Sequence, residues 1–443
     1  MNFSIKNILI ISLICKFALS LFIPLSLDEY YYFLWGQHLS ISYFDHPPMV
    51  GWLMFFSGPL KFISEGAIRW PFLLMSFGTL LIWLKMLKPH LDEKKLVGFL
   101  LIALFNPLWG WGVFIATPDI PLLFFWSLAM FYCEKILWSN SLKNYLLFGF
   151  ALGMGFLSKY QIVLFLPCLF ILLWQQKKFS KLLTTKTIYA IIVAALTCLP
   201  VFIWNMQNDW ASFDFQWNHG MNFKYWKWSM PVEYVFSQIF IIFPTFLLFF
   251  FTKNKKWRKH WLLPFAIFPF VFFLYSSFKG HVEANWVIMA LPSLYALACT
   301  YTTPQLWKWS KRTLYLWTII FMAALTLVLF KENFPVEKVK LFEAEKFKNI
   351  LPEIKGNETY FAYSYQLAGF LSFKKNRLIC KFPKYGRPDH FLYIASCQSL
   401  PKKFYYISQN TDRWPIEKDF PSHKITNERP IDANYKLIEV QAL

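Results

Sequence analysis

The sequence predicts a mainly α, polytopic membrane protein of about eleven transmembrane helices, closed by a small extracytoplasmic α/β or α+β domain. Three observations predict it. The 443 residues are 56% hydrophobic and only 16% charged, against about 25% charged in soluble domains. Phe (51), Tyr (22) and Trp (21) make up 21% of the chain, so it cannot cover a water-facing surface. Apolar stretches near the ~20 residues needed to cross a bilayer recur from residue 5 to residue 330. An ordinary cytosolic enzyme, a disordered chain and a small disulfide scaffold are excluded. The net charge of +20 would suggest nucleic acid in a soluble protein. In a membrane protein it reads as loops retained in the cytoplasm by Lys and Arg, so no nucleic-acid partner is expected.

The first stretch, 5–25, lacks a small-x-small cleavage site and is followed by many others, so it reads as a retained helix. Further spans are expected near 67–88, 96–115, 119–137, 145–157, 160–174, 187–205, 231–251, 261–278, 285–301 and 313–330. Two of them, 145–157 and 160–174, are short enough to be tilted or broken. Segment 48–64 is apolar but short, opens after Pro47-Pro48 and contains Gly58-Pro59. It is expected to lie along the interface or re-enter the membrane. Charge supports this choice. With the N-terminus inside, the inner loops 85–95, 134–143, 175–186, 252–260 and 302–312 hold 18 Lys plus Arg, against 5 in the outer connections. A spanning 48–64 would invert that bias.

After Phe330 the composition changes. Residues 331–443 hold 19 Lys plus Arg and 13 Asp plus Glu. Alternating runs such as YFAYSYQLAGFLSF and KFYYIS are broken by Gly, Pro and Asn. The expected organisation is a transmembrane domain over 1–330 and an outer soluble domain over 331–443. Cys15, Cys133, Cys168, Cys198 and Cys299 fall in apolar helices and read as packing residues. Cys380 and Cys397 fall in the outer domain, where an oxidising compartment would let them pair; two unpaired buried thiols is the other reading.

This topology collects the unusual polar groups on the outer face. The first outer loop carries Asp28, Glu29, Asp45 and His46; ATPDIP carries Asp119. Ser158-Lys159-Tyr160 sits between two apolar helices. Loop 206–230 carries Asp209, Asp214 and His219, and FKGHVEANW carries Lys279, His281, Glu283, Asn285 and Trp286. Each acidic group alone is also explained as a solvated loop residue, and Asp119 as a helix cap after Pro118. Lys159 has no acidic neighbour in sequence, so its partner must be an acid of another loop or an anionic ligand. Such a set suits glycosyl transfer from a lipid phosphate, with a carboxylate as general base and cations or a metal on the leaving phosphate. It also suits an ion, lipid or sugar transporter or flippase. A relay, however, needs acids inside the helices, and those interiors are almost free of Asp and Glu.

The run DEYYYFLWGQHLSISYFDHPPMVGWL resembles the first outer loop of a superfamily of bacterial integral-membrane glycosyltransferases with the GT-C fold. The branch is the family 39/83-like group, which contains protein O-mannosyltransferases and lipid A aminoarabinose transferases. The resemblance continues in order through ATPDIPLLFFW, GMGFLSKYQIVLFLP, PVFIWNMQNDWASFDFQWNHG and GHVEANW, with a weaker echo in SYQLAGFLSF and YGRPDHF. It implies that Asp28 is the catalytic acid, acting as base or orienting the acceptor. Asp45 and His46 would lie beside the donor phosphate, His46 standing where some relatives have Lys, so its charge there depends on pH. Asp119 would be the acid of the second outer loop, near the same site. Lys159 and Tyr160 would contact the donor phosphate, and Glu29, His281, Glu283 and Asn285 would bind substrate. The resemblance further implies an undecaprenyl-phosphate-type sugar donor, inversion at the anomeric centre, and a lipid A, glycan or protein acceptor. The setting would be the periplasmic face of an inner membrane, with a divalent metal as a further option near Asp28 and Asp119.

Overall fold

The computed structural model describes residues 3–221, 228–253, 255–329, 342–383, 385–412 and 422–443. The helices are α1 (Phe3–Ser20), α2 (Leu27–Gln37), α3 (Met49–Ser57), α4 (Trp70–Leu87), α5 (Glu93–Phe105), α6 (Asp119–Trp138), α7 (Leu142–Ser158) and α8 (Phe165–Gln176). They continue with α9 (Thr185–Gln207), α10 (Ala211–Met221), α11 (Ser229–Ile242), α12 (Leu263–Ser277), α13 (Leu291–Tyr301), α14 (Pro304–Leu329) and α15 (Tyr365–Lys375). The strands are β1 (Tyr360–Ala362), β2 (Cys380–Lys381), β3 (Lys403–Gln409), β4 (His423–Pro430) and β5 (Tyr435–Ala442). Packing divides the chain into two compact units. One holds the described residues of Met1–Ser20, His46–Val50 and Arg69–Lys331. The other holds those of Leu21–Asp45, Gly51–Ile68 and Glu332–Leu443. The domain junction expected at 330/331 lies outside the described residues.

The first unit is helical and apolar. Each of the eleven apolar stretches forms helix, but few are long and straight. Among the described residues, Glu65–Leu87, Asp119–Trp138, Thr185–Gln207 and Ala284–Tyr301 are long and apolar enough to cross a membrane. Glu93–Phe105 with Pro107–Phe114 makes a fifth when the pair, bent by 66°, is one span. The bend has a local cause. Pro107 cannot continue the hydrogen-bond ladder, and the fully buried Asn106 accepts from Leu108 N–H at 3.0 Å and Trp109 N–H at 2.9 Å. Stretches 160–174 and 231–251 are likewise divided, the first into a 3₁₀ turn at Tyr160–Leu164 and α8, the second into α11 and a 3₁₀ turn at Pro244–Phe251. Loop 206–230 is not all loop, because Ala211–Met221 is helical.

Small residues set the closest helix approach. Gly149 and Gly153 lie on one face of α7 against α9. A Cβ on Gly149 would sit 2.1 Å from Ala190 O, and one on Gly153 2.5 Å from Thr197 Cβ. Without a hydrophobic drive between helices in lipid, such close packing is what holds them together. Trp83, Phe99, Trp109, Trp126, Phe165 and Tyr295 fill the interior. Trp83 Nε1 donates to Ser127 Oγ at 2.8 Å, tying α4 to α6.

The second unit combines the region after the first helix with the C-terminal chain. Its sheet has the order β2-β1-β3-β5-β4. The β1 strand is parallel to β2 and β3, whereas β3–β5 and β5–β4 are antiparallel. This is the mixed α/β layer expected after residue 330. In the run YFAYSYQLAGFLSF, only Tyr360–Ala362 is strand; Ser364 then caps α15, accepting from Leu367 N–H at 3.2 Å. Leu367, Phe370 and Leu371 recur at helical spacing, which overrides the alternation read there. KFYYIS does form strand, as β3. Helix α15 packs on α2 where Gly369 meets Tyr31; a Cβ there would lie 3.0 Å from Tyr31 N and Cα. Segment 48–64 forms the nine-residue α3 and a 3₁₀ turn at Gly58–Phe62. A nine-residue helix rises about 14 Å, half the thickness of a hydrocarbon core.

Candidate active site

Two polar centres are built into the protein, one in each unit. In the first unit, Asp119 opens α6 but does not cap it; Pro118 occupies the cap position and makes no side-chain cap bond. The Asp119 carboxylate instead accepts from Lys159 Nζ at 2.8 Å and from Asn285 Nδ2 at 2.8 Å, one on each oxygen. Asp119 and Lys159 are 4% and 8% exposed. Lys159 follows the last residue of α7 in extended backbone, so the break between α7 and the Tyr160–Leu164 turn delivers its ammonium sideways to α6. Asp119 is thus the partner that Lys159 lacked in sequence. A buried ion pair is held together strongly but loses the solvation of both charges, so its placement at the end of an apolar helix is costly.

Tyr160 points elsewhere: its hydroxyl bonds Ser212 Oγ at 2.9 Å. Asn205 holds that turn by accepting from Ser212 N–H and Phe213 N–H. His281 and Glu283 are exposed, while Asn285 is half-buried. Trp286 is buried against Phe273, ring centroids 5.6 Å apart, a packing role. His46 is half-buried. Asp209 and Asp214 do not join the Asp119 carboxylate; the His219 side chain lies outside the described residues. A cavity of about 590 Å³ runs between α6, α7, α8 and α9, lined by apolar side chains including Phe148, Leu152, Phe156, Leu166 and Phe202.

In the second unit the centre forms around Asp45. Its carboxylate accepts from Tyr31 OH at 2.7 Å and from Arg387 Nη2 at 2.9 Å. Tyr31 OH in turn accepts from His390 N–H at 2.7 Å. The Arg387 guanidinium lies 4.4 Å from the centroid of the Tyr365 ring. Behind it, Lys381 Nζ donates to Asp389 and to Arg387 O, both at 2.5 Å. Asp389 also accepts from Phe391 N–H at 3.0 Å, which closes the turn. Cys380 and Cys397 are joined by a disulfide, so Lys381, Arg387, Asp389 and His390 all lie in one covalently closed loop.

Burial raises the Asp45 carboxyl from 3.8 to about 6; Arg387 and Tyr31 pull it down, while Asp389 and Asp28 push it up. Burial likewise raises Tyr31, with Asp45 adding to the effect. Burial and His38 lower His390 to about 3, so its ring is neutral near pH 7 and Nδ1 accepts from Phe44 N–H at 3.4 Å. Asp28, half-buried in the first turn of α2, acts electrostatically on both Asp45 and Tyr365.

Glu29 departs from the expectation that it binds substrate. It is fully buried, and its Oε2 accepts from Ser26 N–H at 2.8 Å while Ser26 Oγ accepts from Glu29 N–H. This reciprocal capping box starts α2. The donor set does not favour a metal: among the described residues no three His, Cys, Asp or Glu side chains converge as ligands. The oxygens of Asp119 face an ammonium and an amide, and those of Asp45 a guanidinium and a phenol.

Six residues of these centres were not singled out in the sequence: Tyr31, Tyr365, Lys381, Arg387, Asp389 and His390. For Arg387, Asp389 and His390 the signal was the run YGRPDHF, whose Arg-Pro-Asp-His puts three polar side chains between aromatic residues; Tyr31, Tyr365 and Lys381 lie outside it.

The comparisons agree with this architecture. The family model described as dolichyl-phosphate-mannose-protein mannosyltransferase matches residues 45–204. Lipid A galacturonosyltransferase RgtD of Rhizobium johnstonii is 28% identical over 198 residues, 41% of this chain and 38% of that protein. Lipopolysaccharide core galacturonosyltransferase RgtA of the same organism is 27% identical over 189 residues, 42% and 38% of the two chains. An uncharacterized protein of Aquifex aeolicus is 27% identical over 271 residues, 60% and 62% of the two. The matched stretches thus span from 38% to 62% of these relatives' length. ArnT from Cupriavidus metallidurans bound to undecaprenyl phosphate superposes with a TM-score of 0.69 at 12% identity, covering 98% of this chain and 97% of that one; its apo form gives the same values. The chain therefore has the GT-C fold of a multi-pass membrane protein, and the family model matches it over residues 45–204.

Proposed function

We propose that this protein is a polyprenyl-phosphate-sugar-dependent glycosyltransferase. It moves a sugar to lipid A or a related glycolipid at the periplasmic face of a bacterial inner membrane, with the second unit on that side. The observation that carries the reading is the family match over 45–204. That stretch holds Asp45, Asp119, Lys159 and Tyr160, and the chain is also similar to enzymes whose names specify lipid A and lipopolysaccharide core. Those names favour a glycolipid over a protein acceptor and admit an acidic sugar as the group moved.

The chemistry follows from the residues. Asp28 is the base, half-buried and therefore reachable; it takes the acceptor hydroxyl proton as the oxygen attacks the anomeric carbon. The C–O bond to phosphate breaks, and the charge developing on phosphate is met by preplaced cations. Arg387, paired with Asp45 in the unit that holds Asp28, is one such group, and Lys159, fixed by Asp119, is the candidate phosphate contact of the first unit. The apolar cavity between α6 and α9 suits an isoprenoid chain.

Proteoliposomes loaded with an undecaprenyl-phosphate-linked sugar and lipid A test this reading. Asp28→Asn is expected to slow transfer by about 10²–10⁴-fold, the usual contribution of a general base. Asp119→Asn is expected to slow it as well, by freeing Lys159. Full transfer by both variants sinks the assignment.

A further inference from the structure

A cavity lined by cationic groups lies in the second unit, apart from the residues given a catalytic role above. A cavity of about 310 Å³ opens between the C-terminal ends of α2 and α15 and the 3₁₀ turn Gly58–Phe62. Its polar lining is cationic or neutral: His38, Lys61, Asn376 and Arg377, with Gln37 and Ser372, and no acid. The Arg377 Nη1 donates to Gly356 O at 2.7 Å, but Nη2 is buried with no hydrogen-bond partner. An orphaned guanidinium donor costs stability unless a ligand meets it. Lys61 Nζ reaches Asn376 Oδ1 and Phe373 O and lies 3.9 Å from the Phe373 ring centroid. Burial lowers the Lys61 ammonium from its ordinary range; Glu65 partly offsets this, and Lys374 adds to it. An arriving anion would favour its charged form.

The segment that supplies Lys61 also exposes large apolar side chains. Phe62 is 95% exposed, Phe56 69%, Ile63 60% and Phe55 48%. Four large apolar side chains beside a cationic cavity match a molecule with an anionic head and acyl chains. We infer that Lys61 and Arg377 form a binding site for the phosphate of an anionic membrane lipid, with its acyl chains lying on Phe55, Phe56, Phe62 and Ile63. The Arg377 fork supplies the directional hydrogen bonds and Lys61 the point charge. The site seats the short α3 segment on the lipid surface instead of through it.

Native mass spectrometry of the full chain in detergent tests this, with phosphatidylglycerol and phosphatidylcholine offered in turn. The wild type is expected to retain phosphatidylglycerol about tenfold better than phosphatidylcholine, the effect of one charge-assisted pair. Arg377→Gln and Lys61→Gln should each bring the ratio near one, while Lys61→Arg keeps the preference. Unchanged phosphatidylcholine retention in the variants marks them as folded. An unaltered ratio in both Gln variants overturns the proposal. So does displacement of phosphatidylglycerol by inorganic phosphate alone, which would make this a site for the free ion. Neither result depends on sugar transfer, so the site and the proposed reaction stand or fall separately.

Discussion

Asp45 is the residue where charge and geometry are most tightly linked. It meets Arg387 and Tyr31 directly, and it feels Asp28, Asp389 and, through space, Tyr365. Its carboxyl is raised by burial to about 6, above the 3.8 of an open chain. The folded protein therefore holds this proton more tightly than the unfolded one. The resulting stability is fully present below pH 3.8 and is lost as pH rises through about 6. Pairing with Arg387 has the opposite pH demand, since it needs the ionised form. If transfer requires the ionised Asp45 carboxylate, its rate should fall on the acid side of about pH 6. Arg387→Gln removes a cation that pulls the carboxyl down, so the acid limb should move to higher pH, with Arg387→Lys partly restoring it. A pH–rate profile with the limb unmoved would contradict this. The Asp119–Lys159 pair makes a different prediction. Either single neutral variant leaves a buried charge alone and should cost about 3–5 kcal/mol. The double variant Asp119→Asn with Lys159→Met should cost less than either single change. Thermal denaturation of the four proteins measures it.

At the level of elements, the closed loop from Cys380 to Cys397 is the main device. It carries the side chains that meet Asp45 and Tyr31, and its cysteines are 17 apart in sequence. Closing a loop of that size in the unfolded chain is worth roughly 3 kcal/mol. Replacing both cysteines by serine should therefore destabilise the second unit by about that amount, read as a lowered denaturation midpoint for probes on β3 and α15. Other elements explain how far the sequence could be read. Each apolar run forms helix among the described residues, but only four of these helices, or five with the bent pair, are long and apolar enough to cross a membrane. Their lengths were not legible. Pro107, Asn106 and the turn at Tyr160 divide spans through local hydrogen bonds that hydropathy does not register. Residues 360–373 failed for a related reason: Tyr, Phe and Ala alternate as well as they spiral, and the Ser364 cap decides. Glu29 reads as a site acid from its place beside Asp28, yet the Ser26-x-x-Glu29 spacing is also that of a capping box, and those are the hydrogen bonds it makes.

For the whole molecule, the order of the polar motifs along the chain is readable in the sequence, whereas the partners of each motif are not. Asp119, Lys159 and Asn285 are separated by 40 and 166 residues along the chain from Asp119, and only folding brings them onto one carboxylate. Asp45 and Arg387 are 342 residues apart. The C-terminal chain thus supplies the cationic partner of Asp45, and a protein ending before residue 342 would lack that guanidinium. The GT-C fold alone does not fix a reaction, so the account rests on covalent transfer. The most direct test is the mass of the acceptor after incubation in proteoliposomes with an undecaprenyl-phosphate-linked sugar. The account predicts lipid A heavier by one sugar residue, with release of undecaprenyl phosphate. Lipid A of unchanged mass, with the intact donor moved across the bilayer, would contradict it.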